Sequence, residues 1–335
     1  MPVKIAVSMG DPNGIGPEII VKSLLQSDLK EAIPVIFGRE DVFRQILSQH
    51  DVSSRTINII DSPDDALPDE INIISPKNSS DSDLDIGSIT ASGGHAAMQA
   101  VEAGINACLS GETSALVTAP ISKEAITLAG YNVPGHTEFL ADKTSTDQVL
   151  MMLVSGAFRV ALATIHIPVR DIVDTLTEDL LKTRLLLLYR ALVDDFGISD
   201  PRIAVLGLNP HGGDGGVIGR EEIDLIQPVL KELNQDGLKF EGPFAADGFF
   251  GKSLQKEYHA IFAMYHDQGL IPFKALTFGR GVNMTAGLPI IRTSPDHGTA
   301  FDIAGKNVAD AGSFMAAYKL AAKLANRKHS QTQSN

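Results

Sequence analysis

A chain of 335 residues with 44% hydrophobic and 21% charged side chains has enough apolar material for one large domain or two lobes with substantial cores. Its net charge of −13 argues against nucleic acid as a partner, because such binding needs Lys and Arg to neutralise phosphates, and an anionic substrate needs a local basic pocket. Cys108 is the single cysteine, which excludes an internal disulfide or a multi-cysteine metal site, and no apolar run is long enough to span a membrane; the expectation is a soluble cytoplasmic protein.

Val3 to Ser8 reads as a strand, and Gly10-Asp11-Pro12-Asn13-Gly14-Ile15-Gly16-Pro17-Glu18 as a tight turn opening a helix, with Pro17 in the first turn where no intrahelical N–H is needed. Pro34 to Gly38 is a second strand, and short strands follow at Ile57 to Ile60 and Ile71 to Ile74 within a polar stretch. Ser92 to Leu109 is an Ala-rich helix, Ala115 to Pro120 a strand ending in a turn, and Gly135-His136-Thr137-Glu138 comes after a further Gly and Pro pair. The pattern restarts at Val149, with strands Val149 to Val154 and Arg159 to Ile165, a helix from Glu178 to Phe196 and a strand from Ile203 to Leu208. The loop His211-Gly212-Gly213-Asp214-Gly215-Gly216, a helix from Glu221 to Leu233 and the strand before His266 complete this part. A last helix, Ser313 to Ala325, leads to a polar tail, 326–335, expected to be disordered.

Strand and helix alternate throughout, so the fold class is α/β. With no internal repeat or low-complexity linker, the expectation is two intertwined lobes: 1–138 with 270–335, and 139–269.

Three short apolar runs end in a histidine. Val160 to Ile165 runs into His166, Ile203 to Pro210 into His211, and the strand before Ala263-Met264-Tyr265-His266-Asp267-Gln268-Gly269 into His266. Such runs read as buried strands of a mostly parallel sheet, whose ligand crevice lies at the carboxyl ends. A lone histidine is more often a hydrogen-bonded structural residue; three in one context match the ligand set of a catalytic divalent ion with an open position. Imidazoles suit Zn²⁺, with Co²⁺ or another first-row ion possible; Mg²⁺ is a further alternative for the divalent ion. Asp247 and Asp267 are candidates for orienting an imidazole or for acid–base work, although either serves equally as a cap. Lys274, Asn283 and Arg292 lie between apolar pieces, and a lysine with an arginine suits a phosphate, surface salt bridging being the plain alternative. No Gly-x-Gly-x-x-Gly and no phosphate-loop motif occurs.

The stretches Gly10 to Glu18 and Asp296-His297-Gly298-Thr299-Ala300-Phe301-Asp302-Ile303-Ala304-Gly305 resemble the hallmarks of the isocitrate and isopropylmalate dehydrogenase fold, whose active site lies in the cleft between two lobes. Gly135 to Glu138, Thr164-Ile165-His166, Leu208-Asn209-Pro210-His211, Ala263 to Gly269, Gly279-Arg280-Gly281-Val282-Asn283 and Ile291-Arg292-Thr293-Ser294 resemble the 4-hydroxythreonine-4-phosphate dehydrogenase family of vitamin B6 biosynthesis. The resemblance implies NAD-dependent oxidative decarboxylation of 4-phosphooxy-L-threonine to 3-amino-2-oxopropyl phosphate and CO2. It also implies metal ligation by His166, His211 and His266, with substrate held by His136, Thr137, Lys274, Asn283 and Arg292. Asp296, His297, Gly298, Thr299 and Gly305 are then expected near the adenosine of NAD. Asp247 is the first candidate for proton handling and Asp267 for orienting a histidine. A homodimer with shared active sites is implied, His166 and His211 coming from one chain and His266 from the other. The rival readings are a paralogous dehydrogenase of a phosphorylated four-carbon sugar acid such as 4-phospho-threonate, and a binding protein for phosphorylated ligands without turnover.

Overall fold

The computed structural model describes residues 2–26, 32–48, 56–76, 84–133 and 135–334. The chain begins with β1 (Val3–Ser8), α1 (Gly16–Gln26), β2 (Ala32–Phe37), α2 (Glu40–Leu47), β3 (Ile57–Ile59), β4 (Ile71–Ile74), α3 (Ala91–Leu109), β5 (Ala115–Thr118), α4 (Lys123–Leu128) and α5 (His136–Lys143). It continues through β6 (Leu150–Ser155), β7 (Phe158–Leu162), α6 (Ile172–Thr175), α7 (Glu178–Asp194), β8 (Arg202–Leu206), α8 (Gln227–Gln235), β9 (Lys239–Phe244) and α9 (Ala246–Gly251). The last elements are β10 (Ala260–Ala263), α10 (His266–Thr277), β11 (Val282–Ala286), β12 (Arg292–Pro295) and α11 (Gly312–Ser334).

Two compact units result, Met1–Asp147 with Leu288–Asn335, and Gln148–Gly287. In the first, the strands run β3-β4-β2-β1-β5-β12, every pair parallel. α3 and α11 pack on β1 and β5, so these strands are apolar and buried along nearly their whole length, as parallel strands covered on both faces must be. Ser8 pairs with Thr118, which sets the turn after β1 beside the turn after β5, where the Asp11 N–H donates to the Pro120 carbonyl at 2.9 Å.

In the second unit the order is β11-β6-β7-β10-β8-β9, antiparallel for the first two pairings and parallel for the rest. Leu153, Val160, Leu162, Leu206, Phe249, Ile261 and Phe273 form its core. The segment 270–287, expected with the first lobe, belongs here because β11 pairs with β6 from Val282↔Val154 to Ala286↔Leu150. Lys274 and Asn283 therefore stand on the second unit.

Two local expectations need correction. The helix expected over Glu221 to Leu233 opens with a π-helical turn, Glu222–Ile226, and becomes α-helical only from Gln227; Pro228 has no N–H to continue an α-helical ladder. The tail expected to be disordered continues α11 to Ser334, since helix-forming side chains such as Arg327, Lys328 and Gln331 follow with neither Gly nor Pro to stop them; Asn335 lies outside the described residues.

Candidate active site

The three histidines follow three neighbouring strands of the second unit. β10 lies between β7 and β8, parallel to both; His166 follows β7, His266 opens α10 after β10, and His211 follows β8. The carboxyl ends of adjacent parallel strands are where such folds place ligands. The rings of His166 and His266 lie 5.8 Å apart between centroids. His266 Nδ1 is 2.8 Å from Asp267 Oδ1, and since an ionised carboxylate only accepts, Nδ1 carries the proton and Nε2 is left for another partner.

His211 takes a left-handed backbone (φ 56°, ψ 21°) and opens a turn in which every φ from 211 to 215 is positive. His211 itself, with Leu208 to Pro210 before it, lines a cavity of about 560 Å³ that is lined also by Asp247, Phe250, Tyr265, Asp267 and Gln268. Both candidate carboxylates thus face the cavity that His211 faces. Asp247 sits in the first turn of α9 and Asp267 in that of α10. Among the described residues no trio of His, Cys, Asp or Glu is grouped closely enough to hold a metal ion. The donor chemistry fits a divalent ion, with two neighbouring imidazoles and an orienting carboxylate, while among the described residues no third donor joins that pair.

In the first unit, Arg292 opens β12, is 2% exposed, and donates from Nε and Nη2 to Thr118 Oγ1 at 3.2 and 2.7 Å. Burial lowers its guanidinium to about 10 despite the support of the Glu138 carboxylate. His136 is the first residue of α5; burial first, and then the Arg292 charge, hold its imidazole well below the usual range. A neutral ring results, and its Nε2 is enclosed without a hydrogen-bond partner. A buried cation, a neutral imidazole with an unused nitrogen and the first turn of α5, where Thr137 follows, together make an environment for an anion.

Of the remaining assigned residues, Lys274 is exposed on α10, and Asn283 lies in β11 with its Oδ1 buried and unpartnered. In the first unit the segment expected near the adenosine meets the turn after β1. The Ile15 N–H donates to the Thr299 carbonyl at 2.9 Å, and a Cβ on Gly14 would stand 2.8 Å from that oxygen, so only glycine lets the two backbones approach. Gly305 and Gly14 line one small cavity; the Asp296 N–H donates to Ser313 Oγ, and His297 is exposed with Nδ1 beside the Gly298 carbonyl. Cys108 has no part in this chemistry, since burial pushes its thiol up to about 12.

A family model described as pyridoxal phosphate biosynthetic protein PdxA matches residues 30–321. The chain belongs to the PdxA family. Similar proteins include a 4-hydroxythreonine-4-phosphate dehydrogenase from Prosthecochloris aestuarii, 45% identical over 329 residues that cover 96% of each chain. A D-threonate 4-phosphate dehydrogenase from Pectobacterium atrosepticum is 41% identical, over 96% of this chain and 99% of the other. A crystal structure of 4-hydroxythreonine-4-phosphate dehydrogenase from Klebsiella pneumoniae is similar at a TM-score of 0.89 and 41% identity, covering 97% of this chain and 98% of that one. Family and relatives make this PdxA-family chain a dehydrogenase of the α/β class.

Sequence reasoning passed over several polar residues that build these surroundings. Thr118, which carries Arg292, is detectable as the polar end of an apolar strand. Asp11 is fully buried, accepts from the Asn13 N–H through Oδ1, and leaves Oδ2 unpartnered; in the sequence it looked like an ordinary turn residue. Glu222 and Gln268 lie on helices that hold the histidine loops of this PdxA-family protein; Gln268 stands in the stretch Ala263 to Gly269 without a role assigned to it, and no local pattern marks Glu222.

Proposed function

We propose that this chain oxidises 4-phosphooxy-L-threonine with NAD and a divalent metal, giving 3-amino-2-oxopropyl phosphate, CO2 and NADH, in the route to pyridoxal phosphate. The arrangement that carries the reading is the set of three histidines following three adjacent parallel strands, beside a cavity that holds two carboxylates. His166, His211 and His266 would hold the ion, Zn²⁺ in first place with Co²⁺ or Mg²⁺ as alternatives. The chemistry such an ion supplies is Lewis-acid polarisation of substrate oxygens.

The chain's own residues do the rest. Arg292, His136 and Thr137 take the phosphate, where an arriving anion offsets the cost of burying the guanidinium, and the neutral His136 donates from Nε2. Lys274 and Asn283 complete the hold on substrate. Asp247 accepts the hydroxyl proton as hydride leaves C3 for the nicotinamide. The segment Asp296, His297, Gly298, Thr299 and Gly305 takes the adenosine, which the close approach of Gly14 to Thr299 supports by joining the two fold motifs. We assign the protein to the cytoplasm as a homodimer with shared sites, on the resemblance to the family.

The similarity to the Pectobacterium enzyme favours one second reading, a 4-phospho-threonate dehydrogenase. Purified protein with NAD and metal is assayed for NADH on 4-phosphooxy-L-threonine and on 4-phospho-D-threonate. Faster turnover of the amino acid is expected. Turnover of the sugar acid alone replaces this reading with the second, and turnover of neither removes both.

A further inference from the structure

We propose that Glu18 and Lys22 are positioning residues for the cofactor, clamping the backbone at Asn307 and Ala309 and so fixing one wall of the small cavity beside the adenosine segment. The inference rests on the assignment of Asp296 to Gly305 to the adenosine of NAD. Both residues lie on α1, one turn apart, and the Lys22 ammonium donates to Glu18 Oε1 at 2.8 Å. An exposed pair of this spacing does little more than steady its own helix. Here the Glu18 side chain is 7% exposed and that of Lys22 17%, and enclosing two charges to that degree is costly unless further hydrogen bonds satisfy them.

Those further bonds go to one distant segment. Lys22 Nζ donates to the carbonyls of Asn307 and Ala309, each at 3.0 Å, so that with Glu18 its three donors are used. Glu18 Oε1 accepts in turn from the Ala309 N–H at 2.9 Å. Three backbone groups of this segment thus meet two side chains that stand 285 to 291 residues earlier in the chain. Ser23 Oγ, on the same helix, adds a bond to the Ala311 carbonyl at 3.2 Å. Asn307 holds a left-handed backbone at φ 56°, which a non-glycine residue keeps only where its surroundings over-determine it. The clamp supplies that constraint. Glu18 and Asn307 line the same small cavity as Gly14 and Gly305, the two glycines that flank the adenosine segment. Lys22 stands outside that lining, so its influence on a ligand there passes through the backbone it holds.

Calorimetry of NAD, AMP and 4-phosphooxy-L-threonine, each titrated alone into the full-length protein, tests this alongside thermal melting. Lys22→Met keeps the apolar stem and removes the donors. It is expected to weaken NAD and AMP alike by about 10-fold, and substrate by less than about 2-fold, the first being a coupling usual within one hydrogen-bond network. Lys22→Arg, which still donates and keeps the charge, should recover part of the loss. A merely structural role lowers the melting temperature and either leaves both nucleotide affinities unchanged or weakens substrate as much, and either result overturns the proposal. Loss for NAD without loss for AMP moves the effect away from the adenosine and overturns it too. Where NAD affinity is unchanged in Lys22→Met yet falls in His297→Ala, this inference fails and the adenosine assignment stands. Unchanged affinity in both variants removes the assignment as well. Where Lys22→Met does not fold, the double variant Glu18→Gln with Lys22→Met carries the test, since it leaves no unpaired charge enclosed.

Discussion

Asp267 Oδ1 accepts a hydrogen bond from His266 Nδ1 at 2.8 Å, and the ring so oriented lies 5.8 Å from that of His166. A carboxylate in this place fixes the tautomer and raises the basicity of Nε2, the nitrogen left for an ion. Asp267→Ala is expected to weaken Zn²⁺ or Co²⁺ binding about 10- to 100-fold. Asp267→Asn should do so less, because an amide oxygen still accepts the proton. Chelator competition gives both constants. Equal affinity in all three proteins would show that the carboxylate does not orient a ligand.

Asp11 predicts a pH dependence of stability. Burial pushes its carboxyl up to about 6, against the smaller opposing effect of the bond from the Asn13 N–H. The folded chain therefore holds the proton more tightly than the unfolded one. The stabilisation is fully present below the ordinary carboxyl value of 3.8 and is lost as pH rises through about 6. The shift corresponds to on the order of 3 kcal/mol. Asp11→Asn should remove this dependence, so that the melting temperature of the wild type falls relative to the variant across that window. Parallel melting profiles for the two proteins would contradict the assignment.

Arg292 and His136 predict a separation of substrate from cofactor. Arg292→Ala removes the buried guanidinium beside His136, and Lys274→Ala the exposed ammonium assigned to the same substrate. Each loss should weaken binding of 4-phosphooxy-L-threonine by about 1.5–3 kcal/mol, the range for a charge-assisted hydrogen bond, and leave NAD affinity nearly unchanged. Arg292→Lys should recover only part, since an ammonium does not reproduce the planar fork that now bonds Thr118. Calorimetry with each ligand decides. A matched loss for both would mean that the residues shape the fold rather than the phosphate site.

The histidine-bearing strand ends were legible because each is a local event, an apolar run stopped by an imidazole, and β7, β10 and β8 lie side by side. What fixes those ends was not, because the partners are remote: Gln268 bonds a carbonyl 61 residues away, and Glu222 reaches back across a glycine-rich turn. The run Gly212 to Gly216 signals a turn, but nothing in it says that His211 itself takes a positive φ. Lys274 and Asn283 were placed with the wrong neighbours for a similar reason. Alternating strand and helix identifies units of an α/β fold, whereas the sheet that β11 joins is decided by antiparallel pairing with the distant β6.

The last prediction concerns assembly. One chain brings His166 and His266 together, and its described residues add no third donor to them. A catalytic ion of this class takes three protein ligands; the family resemblance, rather than that pair, leads us to expect each ion to be held across a two-fold dimer by His166 and His211 of one subunit with His266 of the other. Such symmetry makes each subunit both lend and receive, so two equivalent sites exist. Mixing His166→Ala chains with His266→Ala chains then yields heterodimers in which one site has lost both residues and the other neither. Each parent alone should be nearly inactive. Random exchange makes about half of the dimers heterodimers, each with one intact site in two, so roughly a quarter of wild-type activity returns. The adjacency of His166 and His266 within one chain defines the competing outcome. If that pair serves a single site, every site in this mixture lacks a ligand and no activity returns once mass spectrometry has shown that subunits have exchanged. Recovery near a quarter establishes the shared site, and absence of recovery assigns both residues to the same subunit.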